Sequence, residues 1–194
     1  KARLLFDAAV LTRIGREGLV AAVDPDAIAK LAAQQVAQDA ILSLKPAHMP
    51  ALFPEVFLRE NGGFDVLIGN PPWEEVMVEE PKYWLRVQPG ILGLNAADLK
   101  AAVVSLRKKR PELIAGLEKE IENAAIIRKV LLAGPFPGLG TGGVDLYRVF
   151  AWRNWQLLRA GGRFGQVFPR SVLTSAGSAK WRETVLANGS GTIA

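Results

Sequence analysis

The feature that most constrains this chain is a short apolar run that ends in two consecutive prolines. The run Phe64–Gly69 is apolar except at Asp65, which is typical of a strand in a parallel sheet covered on both faces. The segment Asn70-Pro71-Pro72-Trp73 follows directly. Because proline fixes φ and has no N–H, the segment predicts a stiff corner beyond the carboxyl end of the strand. In open α/β sheets, ligands bind at that edge.

The residue types in this corner favour a planar ligand with an exocyclic amino group, such as adenine. The Asn70 side-chain oxygen and the Pro71 carbonyl are acceptors that would bind both amino hydrogens and make the nitrogen more nucleophilic. The Trp73 indole would stack on the ring. A base inside a duplex cannot reach such a pocket, so it would have to be flipped out. The alternative is an ordinary turn, since Asn and Pro are common turn residues.

A second informative stretch lies downstream and predicts a helix followed by a strand. Residues 145–159 have the pattern of an amphipathic helix with Arg148 facing outward, and Gly161-Gly162 is predicted to end it. Arg163–Phe168 is predicted as the next strand, and residues 178–186 as a further helix. Strand–helix–strand in this order implies a right-handed crossover and an α/β fold with a doubly wound sheet.

Together these stretches resemble a known family. Phe64–Trp73 resembles the catalytic motif of amino-group DNA methyltransferases of the adenine-N6 branch, in which Asn or Asp precedes two prolines and an aromatic residue. Residues 145–171 are similar to that family's next helix, Gly-Gly turn and strand. Leu52–Phe57 and the long insertion after Trp73 fit its restriction-modification and phage-defence members.

The resemblance implies a partial Rossmann-like class I methyltransferase fold, S-adenosylmethionine as cofactor and DNA as partner. The implied activity is site-specific, adenine-specific DNA methylation. Asp65 and Asn70 are candidates for contacts on the cofactor side of the cleft, although an acid in a strand is as readily explained by local backbone contacts. The residues that the resemblance places around the target base are Asn70, Pro71, Pro72 and Trp73.

One departure from the family concerns the cofactor. The family binds S-adenosylmethionine with a Gly-rich loop after its first strand, upstream of the catalytic motif. The sequence before Phe64 reads as helical and Ala-rich, and Gly15 and Gly18 lack the spacing of a nucleotide-binding fingerprint. We therefore expect a piece of a larger methyltransferase, inactive alone, whose partners include the parent's upstream cofactor-binding region and its specificity domain.

The expected organisation is a helical N-terminal segment, 1–50, and a partial catalytic domain, 51–194, with a helical insertion at 74–143. The N-terminal segment is predicted to contain helices at 1–23 and 25–44 and a linker with His48 at the surface. Residues 53–58 are expected as a turn or an edge strand. The insertion is predicted to contain helices at 95–110 and 111–132, followed by a glycine-rich lid or linker at 133–143.

Charged runs in the insertion have two interpretations each. A basic run at the end of the first predicted insertion helix would bind DNA phosphates, or would suit the helix macrodipole. Acidic residues beside the Asn-Pro-Pro-Trp segment would form a metal or acid/base site, or a solvated face, which we favour. The basic residues are Arg107, Lys108, Lys109 and Arg110, and the acidic residues are Glu74, Glu75, Glu79 and Glu80.

Composition narrows the remaining choices. The net charge of +5 agrees with a nucleic-acid partner. The chain has no cysteine and a single histidine, His48, which excludes disulfides and His/Cys metal clusters. No apolar run reaches the roughly 18 residues of a membrane span, so we expect no membrane partner and a cytoplasmic location.

Two other functions fit the same residues. The Asn-Pro-Pro-aromatic segment also serves methyltransferases that modify RNA or a protein glutamine amide, because that amide nitrogen poses the same electronic problem. The absent cofactor loop would alternatively fit a non-catalytic module that binds DNA or a partner chain.

Overall fold

A computed structural model describes residues 2–13, 26, 30, 33–140 and 142–189 of the 194-residue chain. This part of the chain is mixed α/β, mostly helical, with one two-stranded parallel sheet. It divides into two compact units. The sheet unit comprises Lys1–Glu75 and Lys129–Ala194, and the insertion unit is Val76–Arg128, which lies inside the predicted insertion.

The regular elements are mostly short helices, with short 3-10 turns at Pro89–Ile91 and Ala176–Ser178. In chain order the helices and strands are α1 (Ala2–Arg13), α2 (Gln35–Leu44), α3 (Met49–Leu52), α4 (Pro54–Phe57), β1 (Phe64–Gly69), α5 (Glu80–Val87), α6 (Ala96–Lys109), α7 (Pro111–Leu132), α8 (Leu146–Leu157), β2 (Leu158–Gln166), α9 (Ser171–Thr174) and α10 (Ala179–Asn188).

The first helices of the sheet unit differ from the prediction. The predicted helix 1–23 begins as α1, and its part beyond Arg13 lies outside the described residues. The predicted continuous helix 25–44 is wrong, because Gln34 has extended backbone with ψ 129° and α2 starts after it. His48 is not a surface residue: its Nε2 lies 2.7 Å from Asp7 Oδ1 on α1, and its side chain is 11% exposed.

The segment before β1 is helical, which corrects the predicted turn or edge strand at 53–58. The helices α3 and α4 each carry a proline in the first turn, where its missing N–H has no intrahelical partner to lose. The rings of Phe53 and Phe57 pack edge-to-face on Phe64, with centroids 5.6 and 5.3 Å apart. These contacts position the start of β1.

The sheet consists of β1 and β2 in parallel, and β1 has the predicted bounds. The helix α8 precedes β2, which confirms the predicted helix–strand order around residues 145–168. The predicted helix end at Gly161-Gly162 is wrong, because α8 ends at Leu157 and β2 begins at once. The pairing jumps from Phe64↔Leu158 to Val66↔Arg163, so the two glycines lie in a bulge, with Gly161 at φ +75°.

The described residues cover one face of this sheet, and the other face only at Phe64. On the covered face, Phe164 packs between Trp155 of α8 and Trp181 of α10, with both pairs of centroids 6.2 Å apart. On the other face Val66 is 56% and Ile68 85% exposed. The prediction that β1 is covered on both faces is therefore wrong for the part of the chain that the structure describes.

The glycine-rich segment 133–143 is held against α8. Trp152 Nε1 donates to the Pro137 carbonyl at 3.0 Å, and Gln156 Nε2 donates to the Pro135 carbonyl at 2.6 Å. Leu139 is buried. The segment is therefore a packed connection over its described residues, and the prediction of a lid or free linker is wrong there.

The insertion unit has its own small core. Tyr83, Trp84, Ile91 and Leu117 are buried together, and Tyr83 Oη donates to the Leu113 carbonyl at 2.6 Å. The helices α6 and α7 have the predicted bounds within one residue, and the predicted cap Asn95 accepts a hydrogen bond from the Asp98 N–H at 3.0 Å. Of the helices that the structure describes, none is long and apolar enough to cross a membrane.

Gly63, just before β1, is predicted to be essential for the strand pairing. Its φ is +123°, and a Cβ atom there would lie 2.5 Å from the Arg159 nitrogen and 2.7 Å from the Leu158 carbonyl carbon. Because both atoms are backbone of β2, Gly63→Ala should lower the free energy of unfolding by about 2–4 kcal/mol. Urea denaturation measures the loss. Gly165→Ala is the control, since no atom lies within 4 Å of its Cβ position, and an equal loss in both variants would contradict the prediction.

Candidate functional site

The predicted site lies at the carboxyl edge of the sheet. Gly69, the last residue of β1, pairs with Gln166 of β2, and the Val167 N–H donates to the Gly69 carbonyl at 3.2 Å. The segment from Asn70 to Trp73, here called the NPPW loop, starts immediately after this pair. The loop therefore leaves the sheet at the edge where ligands bind in open α/β folds.

The NPPW loop is anchored on both sides. Trp73 Nε1 donates to the Val167 carbonyl at 3.4 Å, and the Leu146 N–H donates to the Glu74 carbonyl at 2.8 Å. Glu75 then forms an antiparallel bridge with Asp145, the residue before α8. Since Pro71 and Pro72 have no N–H of their own, these contacts from neighbouring residues fix the loop.

Three of the four residues that the sequence assigned to base binding are exposed. These are Asn70, Pro72 and Trp73, whose exposed fraction is 46%, whereas Pro71 is buried. Among the described residues, no donor binds the Asn70 side-chain oxygen or the Pro71 carbonyl. The loop thus carries a half-exposed indole and two acceptors that no described donor occupies.

Two residues that sequence reasoning missed support this edge from α8. Tyr147 is buried, and its hydroxyl lies 3.2 Å from Ser171 Oγ, just past the end of β2. Arg148, predicted to face outward, is 5% exposed and pairs with Asp145 at 3.0 Å. The acid one turn earlier compensates the buried charge, a relation at i,i+3 that could have been found in the sequence.

Asp65 lies at the opposite end of β1. Its carboxylate accepts hydrogen bonds from Arg159 Nε at 2.5 Å and from Arg59 Nη2 at 2.8 Å. These two hydrogen bonds, that of Arg159 first, lower the pKa of Asp65 to about 2. Strand geometry separates Asp65 from Asn70 by about 16 Å along β1.

This arrangement bears on the S-adenosylmethionine contacts expected of Asp65 and Asn70. A carboxylate has about four acceptor positions, and the two guanidinium groups already occupy part of those on Asp65. Asp65 therefore joins the amino ends of β1 and β2, at the other end of the strand from Asn70. Contact of Asp65 and Asn70 with S-adenosylmethionine stays a prediction.

The basic run in the insertion unit is partly neutralised. Arg107 Nη2 donates to Glu80 Oε1 at 2.5 Å, and Arg110 pairs with Glu112. The Arg107 guanidinium, and then the Trp84 indole N–H, lower the pKa of Glu80. Lys108 and Lys109 are exposed and remain the candidates for DNA contact in this run.

The acidic residues after the NPPW loop show no metal site. Glu79 pairs with Lys82 at 2.7 Å, and Glu80 pairs with Arg107. Within the described ranges, no group of three His, Cys, Asp or Glu side chains is placed to hold a metal ion. A mostly apolar cavity of about 390 Å³ lies between α5 and α6 beside Trp84 and Val103, and its charged lining residues are Glu80 and Lys100.

Comparison of the chain with protein-family models, with curated proteins and with solved structures found no match. The resemblance to adenine-N6 methyltransferases therefore depends on residues 64–73 and 145–171 alone.

The ion pairs of Asp65 predict a defined pH dependence. Because its pKa is lowered from 3.8 to about 2, the stabilisation by the charged form is complete above pH 3.8 and is lost as the pH falls through about 2. The difference in urea midpoint between the wild type and Asp65→Asn should therefore shrink between about pH 4 and pH 2. Glu183→Gln, which removes an exposed ion pair with Lys180, is the control for loss of a surface charge. A difference for Asp65→Asn that stays constant down to pH 2 would refute the assignment.

Substitution of Arg107 and of Lys108 should distinguish a basic residue in an ion pair from one without a described carboxylate partner. Arg107→Ala removes an exposed ion pair and should lower the free energy of unfolding by at most about 1 kcal/mol. Lys108→Ala should leave the free energy of unfolding unchanged, because no described carboxylate pairs with Lys108. Thermal denaturation followed by circular dichroism measures both, and an equal effect of the two substitutions would show that the Glu80–Arg107 pair has no structural role.

Proposed function

We propose that this chain provides the target-base site of an S-adenosylmethionine-dependent DNA adenine-N6 methyltransferase of the restriction-modification or phage-defence type. The observation that carries the proposal is the anchored NPPW loop at the carboxyl edge of a parallel strand pair, with a half-exposed Trp73 and two acceptors that no described donor occupies. The proposed fold is the corresponding part of a Rossmann-like, doubly wound class I methyltransferase.

In this proposal the loop does two things to a flipped adenine. The exposed part of the Trp73 indole stacks on the ring, a contact worth about 1–3 kcal/mol. Asn70 Oδ1 and the Pro71 carbonyl accept the two hydrogens of the exocyclic nitrogen. That nitrogen is a poor nucleophile in free adenine because its lone pair is delocalised into the ring, and the two acceptors favour the more tetrahedral form.

The anchoring explains how the loop would hold this geometry. A base site must keep its donors and acceptors within hydrogen-bond range of fixed positions, since a small misplacement costs much of the gain from positioning. Pro71 is buried and Trp73 is held by the Val167 carbonyl, so the backbone that carries the two acceptors is anchored next to the stacking surface. The chemistry of methyl transfer would come from the cofactor, whose site the described residues do not form.

The base site is tested with two ligands that differ by one amino group. The ligands are oligothymidine strands with one central adenine or one central purine, the latter lacking only the amino group. The wild type should bind the adenine strand about fivefold more tightly, the value of roughly one net hydrogen bond. Asn70→Ala should lower this preference, because only the Pro71 carbonyl then accepts from the amino group, whereas Asn70→Asp, which keeps a side-chain acceptor, should retain more of it. Fluorescence anisotropy measures the affinities.

Trp73 supplies the matched control in the same assay. Trp73→Ala should weaken binding of both strands by about tenfold, and Trp73→Phe should restore much of the loss because it keeps an aromatic face. Equal wild-type affinity for the adenine and purine strands would overturn the proposal and favour a non-catalytic DNA-binding module. Tighter binding of the matching RNA strand, or of a glutamine peptide, would assign the site to RNA or protein amides instead.

A further inference from the structure

Arg170 is an exposed cation at the carboxyl edge of the sheet. It comes three residues after Val167, whose carbonyl accepts the hydrogen bond of Trp73. In the part of the chain that the structure describes, no carboxylate pairs with Arg170. The two arginines at the amino end of the strand pair differ in this respect, since Arg59 and Arg159 both bind Asp65.

The backbone around Arg170 is fixed although its side chain is exposed. The Leu173 N–H donates to the Arg170 carbonyl at 3.1 Å, and the Val172 N–H donates to the Pro169 carbonyl at 2.9 Å. Arg182 of α10 donates to the Val172 carbonyl at 2.8 Å. The guanidinium therefore extends from a rigid base, within about 11 Å of Val167 at the Cα atoms.

Charge differs between the two segments that continue from the contact of Trp73 with Val167. Glu74 and Glu75 follow Trp73, where the backbone pairs with the start of α8. Arg170 follows Val167, beyond the end of β2. A nucleic-acid strand that delivers a base to Trp73 carries one phosphate next to that base, which the carboxylates repel and the guanidinium attracts.

We propose, on the basis of the function proposed above, that Arg170 binds the phosphodiester adjacent to the base stacked on Trp73. The guanidinium presents paired N–H donors whose spacing matches two phosphate oxygens. The contact fixes on which side of the indole the strand runs: over the end of β2, away from Glu74. Arg170 is a substrate-binding residue of the same site and takes no part in polarising the amino nitrogen.

The test removes one positive charge from the protein and one negative charge from the nucleic-acid strand. The ligands are the adenine-centred oligothymidine strand and two copies of it in which the 5′ or the 3′ phosphate next to the adenine is an uncharged methylphosphonate. Affinities are measured by fluorescence anisotropy over a range of salt concentrations. The proteins are the wild type, Arg170→Ala and, as the matched control, Arg163→Ala. Arg163 is also an exposed arginine without a described ion pair, but it lies inside β2, paired with Val66.

Arg170→Ala should weaken binding of the unmodified strand about fivefold and lower the slope of log K against log salt by about 0.7, the value for one phosphate of a single strand. The wild type should bind one of the two methylphosphonate strands about fivefold more weakly than the unmodified strand. Arg170→Ala should bind that strand and the unmodified strand with equal affinity. Arg163→Ala should behave as the wild type.

Equal sensitivity of the wild type and Arg170→Ala to both methylphosphonates would overturn the phosphate contact. A loss of sensitivity in Arg163→Ala as well would overturn it too, by showing a diffuse effect of surface charge. Failure of the base site has a different signature: the wild type would bind adenine and purine strands equally while the Arg170–phosphate coupling persisted. Absence of any binding by the wild type would overturn both proposals.

Discussion

The backbone of Val167 is the interaction on which the candidate site depends. Its N–H donates to the Gly69 carbonyl, and its own carbonyl accepts from the Trp73 indole. The residue directly after β2 thus binds both Gly69, which precedes the NPPW loop, and Trp73, the last residue of that loop. Since the two prolines between them contribute no donors, this double contact replaces the internal hydrogen bonds that an ordinary turn would have.

Different interactions hold the two ends of the strand pair together. At the amino end, the Asp65 carboxylate lies between Arg59 and Arg159, and Gly63 allows the β2 backbone to approach closely. At the carboxyl end the contacts are neutral hydrogen bonds, aromatic packing around Tyr147 and the buried Arg148–Asp145 ion pair. The ion pairs of Asp65 are separated from Asn70 by the length of β1.

The sequence predicted those helices and strands whose formation depends on residues close together in the chain. The strand Phe64–Gly69, the cap Asn95 and the helix starting at Pro111 each follow from apolar pattern or capping chemistry within a few residues. The errors concern contacts between distant residues. The burial of His48 depends on Asp7, 41 residues away, and the bulge at Gly161-Gly162 depends on the register with β1.

The candidate site also has one part that the local sequence predicts and another part that depends on a distant residue. The position of Asn70–Trp73 at a sheet edge was predictable because prolines after an apolar run end a strand wherever it lies. The hydrogen bond from Trp73 to Val167 was not predictable, since 94 residues separate the two and neither local sequence indicates the other as its partner. The open sheet face bears on the fold rather than on the site: the proposed doubly wound fold requires a second layer over Val66 and Ile68, which are largely exposed. The contacts that fix the NPPW loop all come from β2, α8 and the residues beside them, so the geometry of the base site does not depend on that layer.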